Sequence, residues 1–216
     1  MKFLIVRWEN ISNRIQNGIL HALYTGAQKD IDPANEEYQI AKYMISVLYE
    51  NLSKFIITGI IAVMLGIFKY YLFFAVCYGW LRVLAYGVHL KNSLQCLIAG
   101  TITYYGSIYA SLYLAHFSWF DLHLIYVAAF VICFFIYGRY APAVPTGQFL
   151  KKGRDKKLKQ KVLILLTALF FLQFFLPKIY RLLLVFAVVA EAINIHPLNF
   201  YLWGGDINGE VETSDC

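Results

Sequence analysis

Leu122-His-Leu-Ile-Tyr-Val-Ala-Ala-Phe-Val-Ile-Cys-Phe-Phe-Ile-Tyr-Gly138 runs for 17 residues without an acid, a lysine or an arginine. Crossing the hydrocarbon core of a bilayer takes about 20 residues, within a range of roughly 17–25. Five further apolar blocks flank this one, at residues 55–68, 70–81, 94–120, 162–177 and 182–205. The blocks at 94–120, 122–138 and 182–205 are long enough to span unaided. The block at 162–177 extends through its flanking lysines. Those at 55–68 and 70–81 are short, but Lys54, Lys69 and Arg82 lengthen them by snorkelling. The composition agrees: 60% of the 216 residues are hydrophobic and 15% are charged. A soluble domain runs nearer half apolar and a quarter charged. The expected fold is an all-α integral membrane protein with about six transmembrane helices. Four spans with two re-entrant or interfacial pieces is the alternative.

Charge asymmetry orients the spans. With six of them, the N-terminus, residues 88–93, residues 139–161 and the C-terminus share one side. That side carries fifteen lysines and arginines, against Lys69, Lys178 and Arg181 on the other, with Arg82 inside a span. By the positive-inside rule the shared side is cytoplasmic. The run Lys151-Lys-Gly-Arg-Asp-Lys-Lys-Leu-Lys-Gln-Lys161 supplies much of the excess and reads as an anchor against anionic lipid. The net charge of +6 is therefore a membrane signature, and no nucleic-acid partner is expected. Before the spans, Phe3, Leu4, Trp8, Ile11, Ile15, Ile19, Leu20 and Leu23 recur at helical spacing between Arg7, Asn10, Arg14 and Asn17. That pattern predicts an amphipathic helix lying in the interface. Asp30-Ile-Asp-Pro33 breaks it, and a second mixed helix leads from about Asn35 into the first span. The organisation is thus one polytopic domain over 1–205, with interfacial helices over 1–51 and a bundle over 52–205. An acidic flexible tail over 206–216 follows.

The chemistry concentrates in Arg82-Val-Leu-Ala-Tyr-Gly87-Val-His89-Leu-Lys-Asn-Ser-Leu-Gln-Cys96. Ionisable groups at membrane depth are expensive, so such a cluster needs a reason. A cysteine with a histidine is the minimum kit for a thiol nucleophile with its own base. Of the four cysteines, Cys77 and Cys133 lie inside apolar blocks, where cysteine behaves as a small hydrophobe. Cys216 is terminal. No pair has metal-ligand spacing, and neither metal nor cofactor is expected. Cys96 differs because Asn92 or Ser93 can cap the following helix, with Gln95 completing a capping box from Asn92. The thiol then falls in the first turn, where the helix dipole favours a thiolate. His89 precedes it by seven residues. On a continuous helix that is a rise of roughly 10.5 Å, too far for a hydrogen bond. The two meet only if the chain turns at about residues 90–93, and Gly87 loosens the preceding helix end. The plain reading is a decorated cytoplasmic hairpin with Arg82 as a snorkelling anchor. Glu191 lies mid-span beside Asn194 and His196. It is a candidate to pair with Arg82, to line a polar cavity or to make a helix-packing contact. His21, His116 and His123 read as boundary residues.

These residues resemble the accessory gene regulator B family, bacterial membrane endopeptidases that process quorum-sensing propeptides. Arg82, Gly87, His89 and Cys96 match its signature at every spacing. Arg139-Tyr-Ala-Pro-Ala-Val-Pro145 and the basic run match its Tyr/Ala-Pro segment and basic loop. The resemblance covers roughly residues 1–200. Two departures stand out: Tyr86 occupies a position that is often glycine in the family, and Pro145-Thr-Gly-Gln-Phe replaces a threonine–proline–asparagine–lysine stretch. The resemblance implies that Cys96 attacks a peptide bond of a short amphipathic propeptide, with His89 as base and then acid. A substrate cysteine then resolves the thioester to a cyclic thiolactone. Arg82, Gly87 and Glu191 are the candidate substrate-binding or site-supporting residues. The implied partners are the propeptide, membrane lipid and a second copy in a homodimer. A peptide transporter or export channel without covalent chemistry is the competing class, and the broken-helix repeats that would support it are not seen in the sequence.

Overall fold

The structure is a computed structural model that describes residues 14–15, 17–19, 21–22, 36–87, 93–117, 123–143 and 154–203. The described elements are helical: α1 (Glu36–Met64), α2 (Phe68–Ala85), α3 (Ser93–Leu114), α4 (His123–Tyr140), α5 (Arg154–Leu172), α6 (Lys178–Ile195) and α7 (Pro197–Trp203). A 3₁₀ turn at Gln173–Phe175 extends α5. Among the described residues two helices are long and apolar enough to cross a membrane by length and composition, His123–Tyr140 and Asp155–Phe175, where the sequence led to an expectation of about six. The chain forms two compact units, Met1–Ile61 and Ala62–Cys216.

In the first unit, the described residues between 14 and 22 are helical and exposed, with Ile15 and Ile19 facing outward. The break expected at residues 30–33 and the tail at 206–216 lie outside the described residues. Helix α1 runs unbroken from the mixed segment into the apolar stretch Asn51–Met64. It stops at Gly66, whose φ of +69° suits a residue without a Cβ. The amide of Ile67 donates to Ala62 O at 3.0 Å and that of Gly66 to Val63 O at 3.0 Å. This pair of bonds is a Schellman ending, which satisfies the last carbonyls of the helix.

In the second unit, α6 is the central helix and packs against α2, α3 and α4, while α2 also packs on α5 and α3. The reason lies in its sequence. Leu184, Ala187, Val188, Glu191, Ala192 and Ile195 are buried and recur three or four residues apart, which places them on one face. Small residues at 187 and 192 let neighbouring helices approach, and the interior closes around Tyr71, Phe74, Leu81, Phe130 and Tyr137. The outward faces are equally apolar: Val83, Ile102, Leu124, Phe135 and Ile164 are all exposed. Large exposed apolar surface marks contact with a membrane or a partner.

The hydroxyls on these helices are satisfied locally. Thr101, Thr103, Ser111 and Thr167 each donate to the carbonyl four residues earlier, at 2.7–2.9 Å. This removes the penalty of an unpaired donor in an apolar medium.

Two expected boundaries shift. The block at 182–205 is not one helix, because α6 begins at Lys178 and ends at Ile195, and α7 restarts at Pro197. Proline disfavours helical backbone at the residue before it, and His196 is extended, with ψ 138°. The basic segment at 139–161 is also not a loop throughout. Arg139 lies in the last turn of α4, and residues 154–161 form the first two turns of α5, where Asp155 opposes the clustered positive charge.

Candidate active site

The site is built where α2 ends. Arg82 occupies its last turn, and Tyr86 and Gly87 follow. Arg82 Nη1 stands 3.4 Å from Glu191 Oε1 on α6, with the arginine side chain 22% exposed and the glutamate 0%. At 3.4 Å and an effective dielectric of about 20 the attraction is roughly 5 kcal/mol. Desolvating two ions costs several kcal/mol each. By this count the pair adds no net stability.

It belongs to a wider network. Asn194 lies three residues beyond Glu191, on the same helical face. Its Nδ2 donates to the Tyr78 hydroxyl oxygen at 2.6 Å and lies 3.4 Å from Glu191 Oε2. Asn199 on α7 donates from Nδ2 to Asn194 Oδ1 at 3.3 Å. Tyr78 sits one turn before Arg82 on α2, and its ring packs on Phe74 and Tyr104.

Gly87 sits against this network. Its φ is +109°, and a Cβ there would collide with Arg82 Nη1 and stand 3.3 Å from both Glu191 Oε1 and Asn194 O. Only glycine meets both demands, the left-handed backbone and the close approach. The corner is pinned from the other side by the segment after α4. Gly87 N–H donates to Ala143 O at 2.9 Å and Ala143 N–H to Ala85 O at 2.9 Å, forming a parallel bridge between Tyr86 and Ala143. The Ala141–Pro142 peptide beside it is cis. Tyr86 has φ 62° and ψ −121°, a conformation costing a non-glycine residue on the order of 1–3 kcal/mol. The departure from glycine at 86 noted in the sequence thus falls on a backbone that would suit glycine.

Cys96 is the fourth residue of α3, in the first turn of that helix. Its thiol is free and half-buried, within electrostatic reach of the Arg82 guanidinium and the Tyr78 hydroxyl. Cys77 and Cys133 are buried in the bundle. His89 and the turn expected at about residues 90–93 lie outside the described residues, except that Ser93 already begins α3. His116 and His123 lie at helix ends: His116 Nδ1 is 2.9 Å from Leu112 O, and His123 Nδ1 is 3.4 Å from Arg181 Nη1. His196 Nδ1 accepts the Leu198 amide at 3.3 Å. Among the described residues no group of three or more His, Cys, Asp or Glu could hold a metal ion.

The structure therefore brings Arg82, Gly87 and Glu191 into contact, with Cys96 within electrostatic reach of Arg82. Asn194 was legible as a polar residue three positions from Glu191. Tyr78, Asn199 and Ala143 carried no comparable signal: a tyrosine among 17 tyrosines and an alanine acting through its backbone look like filler.

The chain is similar in sequence to known proteins. A sequence model of the family described as Accessory gene regulator B matches residues 9–195. An accessory gene regulator protein B of Staphylococcus haemolyticus is 26% identical over 191 residues, 88% of this chain and 96% of that protein. An AgrB-like protein of Clostridium acetobutylicum is 26% identical over 165 residues, 76% of this chain and 77% of its own length. One from Lactiplantibacillus plantarum is 28% identical over 177 residues, 77% and 85% of the two chains. No solved structure matches.

Proposed function

The chain belongs to the accessory gene regulator B family, and from that premise we propose that it is a membrane cysteine endopeptidase that trims and cyclises a short quorum-sensing propeptide. Membership supports a role in accessory gene regulator quorum-sensing processing. The single observation that carries the finer reading is the position of Cys96. It is a free, half-buried thiol in the first turn of α3, within electrostatic reach of the Arg82 guanidinium.

In this reading His89 takes the Cys96 proton, and Sγ attacks the scissile carbonyl carbon. The tetrahedral intermediate collapses as the C–N bond breaks, and the leaving amine takes the proton back from His89. Backbone amides in the first turn of α3 are the natural oxyanion donors. The acyl group now sits on Cys96 as a thioester. A thiol within the substrate attacks that carbonyl, Cys96 leaves as thiolate and is reprotonated, and the ring closes as a thiolactone. Thioester exchange conserves the bond energy that hydrolysis would discard, and a site recessed at a membrane surface keeps water away.

The proposed setting is a six-span, multi-pass protein of the cell membrane, with both termini and Cys96 on the cytoplasmic side. There an amphipathic propeptide leader lies in the same interface. Arg82 and Gly87 shape the approach to Cys96. The partners in this reading are the propeptide, lipid and a second copy in a homodimer. The test is co-expression with a short neighbouring open reading frame that has an amphipathic start, an internal cysteine or serine and an acidic tail. The parent, Cys96→Ala and His89→Ala are compared by mass spectrometry. Loss of the processed peptide in both variants is expected. Unchanged processing in both overturns the protease reading, and cleavage without ring closure reduces it to a plain peptidase.

A further inference from the structure

We propose that Glu191, Asn194 and Tyr78 are positioning residues, a buried polar network on α6 and α2 that holds Arg82 and the Gly87 corner in register with Cys96. This rests on the proposed chemistry at Cys96, but the network is argued from its own geometry.

The carboxylate of Glu191 is 0% exposed and lies in the helix that packs against the most neighbours. Burying a charge there confers no stability that a well-packed hydrophobic residue would not match, so a packing role does not account for it. What its atoms touch does. One oxygen meets Arg82 Nη1 at 3.4 Å. The other faces Asn194 Nδ2, which is held in turn by the Tyr78 hydroxyl at 2.6 Å. Glu191 Oε1, the oxygen that meets Arg82, and the Asn194 main-chain carbonyl crowd the place where a Gly87 Cβ would stand, each at 3.3 Å.

Three elements therefore converge on one backbone position. Helix α6 contributes Glu191 and Asn194, α2 contributes Tyr78 and Arg82, and residue 143 grips Gly87 through its main chain. Gly87 is the last described residue before the segment that carries His89, and Arg82 lies within electrostatic reach of Cys96. A network that fixes both governs where that segment starts and where the Arg82 guanidinium sits. Because Glu191 and Asn194 touch the site through Arg82 and Gly87, their effect passes through those residues.

The experiment uses the full chain in lipid nanodiscs with two readouts. The first is the iodoacetamide alkylation rate of Cys96, followed on its own peptide by mass spectrometry and needing no substrate. The second is processing of the co-expressed propeptide. Glu191→Gln, Arg82→Gln and the double variant are compared. Glu191→Gln is expected to shift Cys96 alkylation severalfold and to cut processing about tenfold or more. The double variant is expected to lose clearly less than the sum of the two single effects, because coupled residues are not additive. Parental alkylation and processing in folded Glu191→Gln overturn the proposal. So does a Glu191→Gln effect that persists undiminished in the Arg82→Gln background.

If Glu191→Gln does not fold, Glu191→Asp and Tyr78→Phe take its place, with shifts in the same direction expected and parental rates again overturning it. Should Cys96→Ala still process the propeptide, the protease reading falls. The alkylation arm then decides the positioning claim by itself.

Discussion

Gly87→Ala is the most discriminating perturbation of the site. At a φ of +109° an alanine is strained by about 1–3 kcal/mol. Its Cβ also collides with Arg82 Nη1, so the guanidinium must shift relative to the Glu191 carboxylate. Full separation of a buried pair costs about 3–5 kcal/mol, and partial reorientation of the arginine lowers that figure. A combined effect of about 3–5 kcal/mol follows. If 3 kcal/mol of it falls on placement of the reacting groups, the rate drops more than 100-fold, since about 1.4 kcal/mol is tenfold. The assay is the yield of processed propeptide by mass spectrometry, alongside thermal denaturation of the purified protein in detergent. Gly79 supplies the control within the same helix, because a Cβ there meets nothing within 4 Å. Gly79→Ala should process normally and gain about 0.5–1 kcal/mol from reduced backbone freedom. Processing by Gly87→Ala within threefold of the parent would refute the reasoning, and with it the claim that the Arg82–Glu191–Gly87 contact matters.

Replacing Tyr86 separates backbone strain from side-chain loss. Tyr86→Gly should be about 1 kcal/mol more stable than Tyr86→Ala in denaturation, since both delete the ring and only glycine fits φ 62° without strain; equal stabilities would show that the position is unstrained. Tyr137→Phe removes a buried hydroxyl that donates to Val188 O at 3.1 Å. About 1 kcal/mol should be lost, read as a lower denaturation midpoint with processing intact. Leu184→Ala, at a residue with 0% exposure, should cost about 2–5 kcal/mol. Val83→Ala, at 72% exposure on the apolar outer surface, should cost far less in the same melt. Comparable losses from the two would contradict the assignment of inner and outer faces.

The features legible in the sequence are those that local chemistry fixes. Uninterrupted apolar runs fixed the helical class, because hydrocarbon that long has few other ways to satisfy its backbone. The spacing from Arg82 through Gly87 and His89 to Cys96 carried the family resemblance, and the polar residues near 92–95 put Cys96 in the first turn of a helix. Helix ends were less legible. The apolar block at 182–205 gave no warning that His196–Pro197 divides it, because hydropathy does not register a backbone break that proline imposes. What only the tertiary structure decided is who meets whom. Glu191 lies 109 positions from Arg82 in the chain, and in the sequence an intramembrane acid had several partners open to it. Packing α6 against α2 removes that choice: it buries the carboxylate where a guanidinium is the counter-charge at hand, and it leaves room beside them for a residue with no side chain at all. Gly87 looked like a loosened helix end, whereas in the fold it is where two helices and the segment after α4 crowd a single backbone position.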